Sequence, residues 1–267
     1  MLLLDGKKAR DFYTQLLTAK IQKLGFSPSL AILQVGDNLS STAYIEQKKK
    51  FGMKIGVNVE HLKFPETVTF EELKNKISTL NADKKTNAII VQLPLPAHLD
   101  KTSVINLIES TKDVDGLTSN TKFIPATARG VKALLDFYEI SPKGKKVAML
   151  GRSALVGKPT AELLKNAGAD VTICHSQTSN TREVTRNSDI IIVAIGKPRF
   201  VDETYIGGNF PVVVDVGISP LKGKLVGDVD FEKVKDLVLA ISPVPGGVGP
   251  MTVLSLFENV VLAASKR

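Results

Sequence analysis

The chain of 267 residues has one cysteine, Cys174, so no internal disulfide can form and a reducing compartment is expected. Aromatic residues make up only 6% of it, and none interleaves with its one tight basic cluster, Lys48-Lys49-Lys50. A nucleic-acid groove is therefore not expected. The net charge of +8 and pI of about 9.4 suit a solvated face or a mild positive field that draws small anionic ligands. Missing too is any uncharged apolar run of the roughly 18–20 residues that a membrane span requires, so no membrane partner is expected. The opening Met1-Leu2-Leu3-Leu4-Asp5-Gly6-Lys7-Lys8 has no basic region before its apolar residues and no cleavage site after them, unlike a signal peptide. A cytoplasmic location follows as the expectation. The chain has no repeat of fixed period and no low-complexity tract, and no metal site is expected.

An apolar fraction of 43%, charged residues at 23% and a mean hydropathy of +0.07 describe an ordinary globular chain, long enough for two modest cores. Helical periods and short β-branched runs alternate throughout, which predicts an α/β class with mostly parallel sheets in two domains. Helices are expected near 6–24, 41–54, 70–80, 125–141 and 252–265, and strands near 30–35, 57–64 and 88–91. Further strands fall near 146–150, 170–174, 189–195, 212–216 and 239–241. Thr69 followed by Glu72 reads as a capping box.

From Lys145 to Pro159 the chain reads as a strand, a tight turn at Gly151 and a helix start at Gly157, the opening of a Rossmann-type domain. Glycine frees the turn, and the helix N-terminus would face a pyrophosphate. Ser153 stands where the second glycine of the usual pattern would be. The next strand ends in Cys174-His175-Ser176, without the acid that would accept a ribose 2′-OH about 20 residues on. Arg152, His175 and Ser176 are instead donors suited to a 2′-phosphate, so NADP is the expected cofactor. Taken alone, His175 would read better as a structural histidine. Gly196 ends a later strand, where backbone can approach the cofactor.

Tyr44 and Lys48 lie four apart and share a helix face. Most such pairs are a surface tyrosine beside a solvated lysine. Here Gln92 marks a strand's carboxyl end, because Pro94 and Pro96 stop the strand, and Asp115 sits on the turn Lys112-Asp113-Val114-Asp115-Gly116. These loops can meet at one sheet edge, where a partly desolvated lysine titrates low enough to move protons near neutral pH. The segment Ser242-Pro243-Val244-Pro245-Gly246-Gly247-Val248-Gly249-Pro250-Met251-Thr252 reads as a stiff loop before a helix, either a structural hinge or, preferably, a ligand-lining one.

These motifs, with Val35-Gly36-Asp37, Ser40, Ser41, Leu93 and Val214-Asp215-Val216-Gly217-Ile218, closely resemble the bifunctional methylenetetrahydrofolate dehydrogenase/methenyltetrahydrofolate cyclohydrolase family over nearly the whole chain. The resemblance implies NADP-dependent oxidation of 5,10-methylenetetrahydrofolate, then hydrolysis of the methenyl product to 10-formyltetrahydrofolate, in one-carbon metabolism and purine biosynthesis. It implies that Lys48 handles the proton, that Gln92 and Tyr44 orient it, and that Asp115 hydrogen-bonds the pterin. Leu93, Pro245, Gly246 and Gly247 would line the folate; Gly151, Arg152, Ser153, His175, Ser176, Gly196 and Ile218 would hold the cofactor. The implied domains are 1–126 plus 244–267 for folate and 127–243 for NADP, with a homodimer joined through the cofactor domains. The chain departs from the family pattern in a short segment, 117–124, in Pro125-Ala126-Thr127-Ala128 after it, and in Ser219. A monofunctional dehydrogenase and a shikimate- or malic-type NADP oxidoreductase are the rival enzymes. Joint retention of Lys48, Gln92 and Asp115 opposes the first, and the 243–250 loop opposes the second.

Overall fold

A computed structural model describes residues 1–266, the side chain of Ser40 excepted, so Arg267 and that side chain lie outside the described residues. By packing, the chain forms two compact units, one of Tyr13–Ala126 with the chain from Ser255 onward, the other of Met1–Phe12 with Thr127–Leu254.

The first unit is built on three parallel strands, β2 (Ser29–Val35), β3 (Asn58–Phe64) and β4 (Ala88–Val91), in the order β3-β2-β4. β4 is apolar at every position and wholly buried, as a strand covered on both faces must be. Helix α2 (Leu39–Ile55) starts where Asn38 accepts the Ser41 N–H and stops at Gly56, whose φ of 84° is left-handed. Helix α3 (Phe70–Ala82) starts at the expected capping box between Thr69 and Glu72. A short helix, α4 (Lys101–Ile105), was not legible, since five residues show no period.

In the second unit six strands form one parallel sheet in the order β1-β11-β8-β7-β5-β6. These are β1 (Leu2–Leu3), β5 (Lys146–Leu150), β6 (Asp170–Cys174), β7 (Ile190–Val193), β8 (Val212–Asp215) and β11 (Ala240–Ile241). From β5 the chain moves outward to β6 and then back across to β7. The order thus reverses at β5, and the carboxyl ends there are where open α/β sheets bind ligands. Helices α5 (Ala126–Phe137), α6 (Gly157–Asn166), α7 (Thr181–Arg186) and α8 (Phe231–Val234) accompany the sheet, with an antiparallel hairpin of β9 (Ser219–Leu221) and β10 (Lys224–Val226). β1, the hairpin, α7 and α8 escaped the sequence reading because each is too short to carry a period.

Helices α1 (Gly6–Gln22) and α9 (Val248–Ser265) each contribute residues to both units. The expectation of a helix over 252–265 is corrected: α9 begins at Val248, inside the proline- and glycine-rich segment. Pro250 falls in its first turn, where a missing N–H costs no intrahelical bond. By length and composition α9 could cross a membrane, yet 61% of it is buried within the protein. Phe257 on this helix is fully buried and stacks at a tilt on Phe51, with ring centroids 5.3 Å apart.

Candidate functional site

In the first unit, Lys48 projects from the middle of α2 and donates from Nζ to Gln92 Oε1 at 2.9 Å. Gln92 follows β4 and still donates its N–H to Leu33 O, which fixes where its side chain starts. Its Nε2 donates to Leu93 O at 2.9 Å, so the amide is oriented with its oxygen toward the lysine. Ser41 Oγ donates to the same Leu93 carbonyl at 3.2 Å and ties the start of α2 to the loop after β4. That loop contains a cis Leu93–Pro94 peptide.

Burial lowers the pKa of the half-buried Lys48, and the Asp115 carboxylate, which attracts its charge, partly opposes that. Asp115 is raised, first by desolvation and then by Asp113, against the pull of Lys48. Desolvation thus drives both partners toward neutral forms while their attraction favours the ion pair. Tyr44, one turn before Lys48 on α2, is 38% exposed, and burial raises its phenol. The structure therefore joins Lys48 to Gln92 directly and to Asp115 electrostatically, with Tyr44 on the adjacent turn.

The turn carrying Asp115 is held by its neighbours. Asp113, buried, accepts the N–H groups of Gly116, Leu117 and Thr118 and the Thr118 hydroxyl at 2.7–3.2 Å. Asn259 of α9 donates to Val114 O and Ile124 O at 2.8 and 2.9 Å. Gly116 has φ 75°, and a Cβ there would lie 2.8 Å from Pro125, so the short 117–124 segment folds tightly back on itself. Lys112, also buried, donates to the carbonyls of Leu80, Asn81 and Asp83 at the end of α3. In the sequence Lys112 and Asp113 stand out only as parts of the motif around Asp115; the structure makes both of them scaffold.

In the second unit, Gly151 follows β5 with φ 113°, and a Cβ there would stand 2.2 Å from Ala194 O. A Cβ on Gly157 would stand 2.3 Å from Gly151 O. The turn after β5, the chain after β7 and the first turn of α6 therefore touch backbone to backbone, the close approach that a phosphate-binding helix N-terminus requires. Ser153 Oγ lies 3.2 Å from the N–H groups of Val156 and Gly157 and accepts from them, which gives a serine at the altered position a capping role. At the end of β6, Arg152 donates to Gln177 Oε1 at 3.4 Å and Gln177 N–H donates to His175 Nδ1 at 3.2 Å. Arg152 and Ser176 are exposed and His175 half-buried, a cationic group and two polar donors at the point where the acid is missing. This donor set fits NADP. Gly196 and Ile218 lie on the loops after β7 and β8, with Ile218 42% exposed.

Pro245, Gly246 and Gly247 belong by packing to this second unit. Gly246 O accepts the Gly6 N–H at 2.9 Å, and a Cβ on Gly6 would collide with Gly247 O. Asp228, which no sequence signal singles out, is fully buried against the loop after β7. Among the described residues no group of three or more His, Cys, Asp and Glu could hold a metal.

Two family models match the chain. The catalytic domain of tetrahydrofolate dehydrogenase/cyclohydrolase covers residues 4–115, and the NAD(P)-binding domain of the same family covers 125–267. A Bacillus anthracis protein named bifunctional protein FolD is 42% identical over 257 residues, which is 92% of this chain and 90% of that one. The crystal structure of the Campylobacter jejuni bifunctional enzyme FolD superposes with a TM-score of 0.96 at 42% identity, covering 100% of this chain and 99% of that one. The Trypanosoma brucei methylenetetrahydrofolate dehydrogenase-cyclohydrolase, solved with NADP cofactor and inhibitor, superposes with a TM-score of 0.93 at 33% identity, covering 100% and 98%.

Proposed function

The chain belongs to the tetrahydrofolate dehydrogenase/cyclohydrolase family, and from that premise we propose that it carries out both of the family's reactions. It oxidises 5,10-methylenetetrahydrofolate to 5,10-methenyltetrahydrofolate with NADP, then hydrolyses the methenyl compound to 10-formyltetrahydrofolate. The observation that carries this reading is the Lys48 Nζ contact to Gln92 Oε1 at 2.9 Å, in a site where burial lowers the lysine.

A lysine that stayed cationic would be repelled by the cationic methenyl carbon. A neutral amine can take a proton from the attacking water and return it as the ring opens. Gln92, its amide locked by Leu93 O, holds the amine in one position. Tyr44, exposed on the same helix face, orients it from the other side, and Asp115 hydrogen-bonds the pterin. Leu93, Pro245, Gly246 and Gly247 line the folate. When bound, NADP supplies the acceptor for the hydride leaving the one-carbon bridge. Gly151, Ser153, Gly196 and Ile218 shape its seat, and Arg152, His175 and Ser176 address its 2′-phosphate. An absorbance assay with methylenetetrahydrofolate and NADP tests the whole reading. The methenyl product must appear and then decay, and an NADP-dependent rise that never comes refutes the assignment.

The expected folate domain, 1–126 with 244–267, and the NADP domain, 127–243, divide the chain by ligand. Packing places 1–12 and 244–254 with the dinucleotide half, so the returning loop is shared between the two divisions. The same reading makes the protein a cytoplasmic homodimer joined through the cofactor domains, with no nucleic-acid or membrane partner. A monomer by light scattering at micromolar concentration would contradict the dimer, and a steep salt slope in duplex-DNA titration would contradict the absence of nucleic-acid binding.

A further inference from the structure

Beneath the loops assigned to the cofactor lie two carboxyl groups that the mechanism above does not use. Asp215, at the end of β8, is 3% exposed and Asp228 is wholly buried. Asp215 Oδ1 accepts the N–H groups of Gly217 and Asp228, each at 3.1 Å, and its Oδ2 accepts that of Val229 at 2.9 Å. Asp228 Oδ2 accepts the N–H groups of Ile195 and Gly196 at 2.6 and 2.8 Å. Between them the two side chains fasten three loops: the one after β7 that carries Gly196, the one after β8 that carries Ile218, and the 227–229 segment.

The backbone packs tightly against both carboxyl groups. A Cβ on Gly217 would lie 2.1 Å from the Asp228 carboxyl carbon, and one on Gly227 would lie 1.8 Å from Asp215 Oδ2. Asp228 Oδ1, fully enclosed, has no hydrogen-bond partner. An unpaired oxygen so placed makes a second negative charge beside it costly. The charged groups on the surrounding loops do not neutralise the pair. Arg199, Asp230 and Glu232 line the hollow beside Asp215 with Ser242, and Lys197 is turned over the Phe200 ring at 5.6 Å.

We propose that Asp215 and Asp228 are positioning residues for the dinucleotide site, a carboxyl pair that holds one proton and thereby keeps the amides of the cofactor loops in place. The inference rests on the cofactor assignment above. Burial pushes Asp215 up to about 7, and the Asp228 charge adds to this, against the pull of the backbone N–H groups. For an acid raised in the folded state, the stabilising form is present at low pH and is lost as pH rises through about 7. Above that pH two like charges face each other in a buried site and push the loops after β7 and β8 apart. The affinity for NADP therefore falls across neutrality.

Two measurements test this. In the unmodified protein, the amide resonances of Ile195, Gly196, Gly217, Asp228 and Val229 must shift together with one midpoint near 7. If they stay fixed between about pH 6 and 8, the proposal is overturned, whatever any variant does. The second uses Asp228→Asn, whose carbonyl accepts the Ile195 and Gly196 amides while its NH₂ replaces the unpartnered oxygen without charge. The KM for NADP of the unmodified enzyme should rise about fivefold or more from pH 6 to 8, an ordinary coupling between sites, and that rise should largely vanish in the variant. His175 and the 2′-phosphate are common to both proteins, so the difference between the two profiles belongs to the pair. Methenyl hydrolysis, which consumes no NADP, should keep its rate. A variant with an unaltered NADP profile, or one that loses both activities in proportion, overturns the proposal. If the unmodified protein does not oxidise methylenetetrahydrofolate at all, the functional reading fails while the amide titration still decides the pair.

Discussion

Lys112→Met removes a buried ammonium whose Nζ donates to Leu80 O, Asn81 O and Asp83 O at 2.7, 2.6 and 2.8 Å. These carbonyls end α3, so three acceptors lose their donor and the helix loses a cation at its negative end. Each charge-assisted bond contributes about 1.5–3 kcal/mol, but the three share one ammonium and the bulk of that sum offsets its desolvation. A net loss of about 3–4 kcal/mol is expected, in the upper range for single substitutions. At about 2–4 °C per kcal/mol, Tm should fall by roughly 6–16 °C. Methenyl hydrolysis per folded molecule, assayed well below the transition, should change little, because the Asp113 bonds and the Asn259 contacts still hold the Asp115 turn. A variant with unchanged Tm and lost activity would show that Lys112 acts in the chemistry and that its scaffold role is wrong.

Gly151→Ala places a Cβ 2.2 Å from Ala194 O at φ 113°, a strain of order 1–3 kcal/mol at the turn under the phosphates. Dehydrogenase activity should collapse while methenyl hydrolysis persists, as paired assays on one preparation would show. Arg152→Ala combined with Ser176→Asp should narrow or reverse the preference for NADP over NAD, read as a ratio of kcat/KM; equal values for the two cofactors in the unmodified enzyme would sink the assignment. Because burial depresses Lys48, the neutral amine is reached below the usual lysine range, so hydrolysis should rise with pH and level off before that range is reached. A rate that climbs through that range without a plateau would contradict a lowered lysine.

The long elements were legible because their signals are local. β4 reads as four apolar residues stopped by prolines, and the Thr69–Glu72 box fixes where α3 begins. The pairing of Lys48 with Gln92 is an expectation from sheet topology and the family resemblance, since 44 residues separate them and no local pattern encodes their distance. Lys112 and Asp113 stood in the same motif as Asp115, yet only coordinates show that they serve a helix end and a turn. Asp228 left no trace in the sequence, because its partners are backbone amides more than thirty residues away. Helix α9 starts four residues before the expected 252, since prolines and glycines look like loop even where a first helical turn accepts them.

Lys48→Met tests the central claim most directly. It keeps the apolar stem, removes the titrating amine and leaves Gln92 Oε1 without its donor. Loss of a general acid–base group should lower methenyl hydrolysis by roughly 10²–10⁴-fold. NADP affinity should scarcely change, because the residues assigned to it lie in the other packing unit. Hydride transfer should fall less than hydrolysis, as it needs alignment more than a base. A Lys48→Met protein that binds NADP normally and hydrolyses the methenyl compound at an unchanged rate would show that Lys48 carries none of the chemistry.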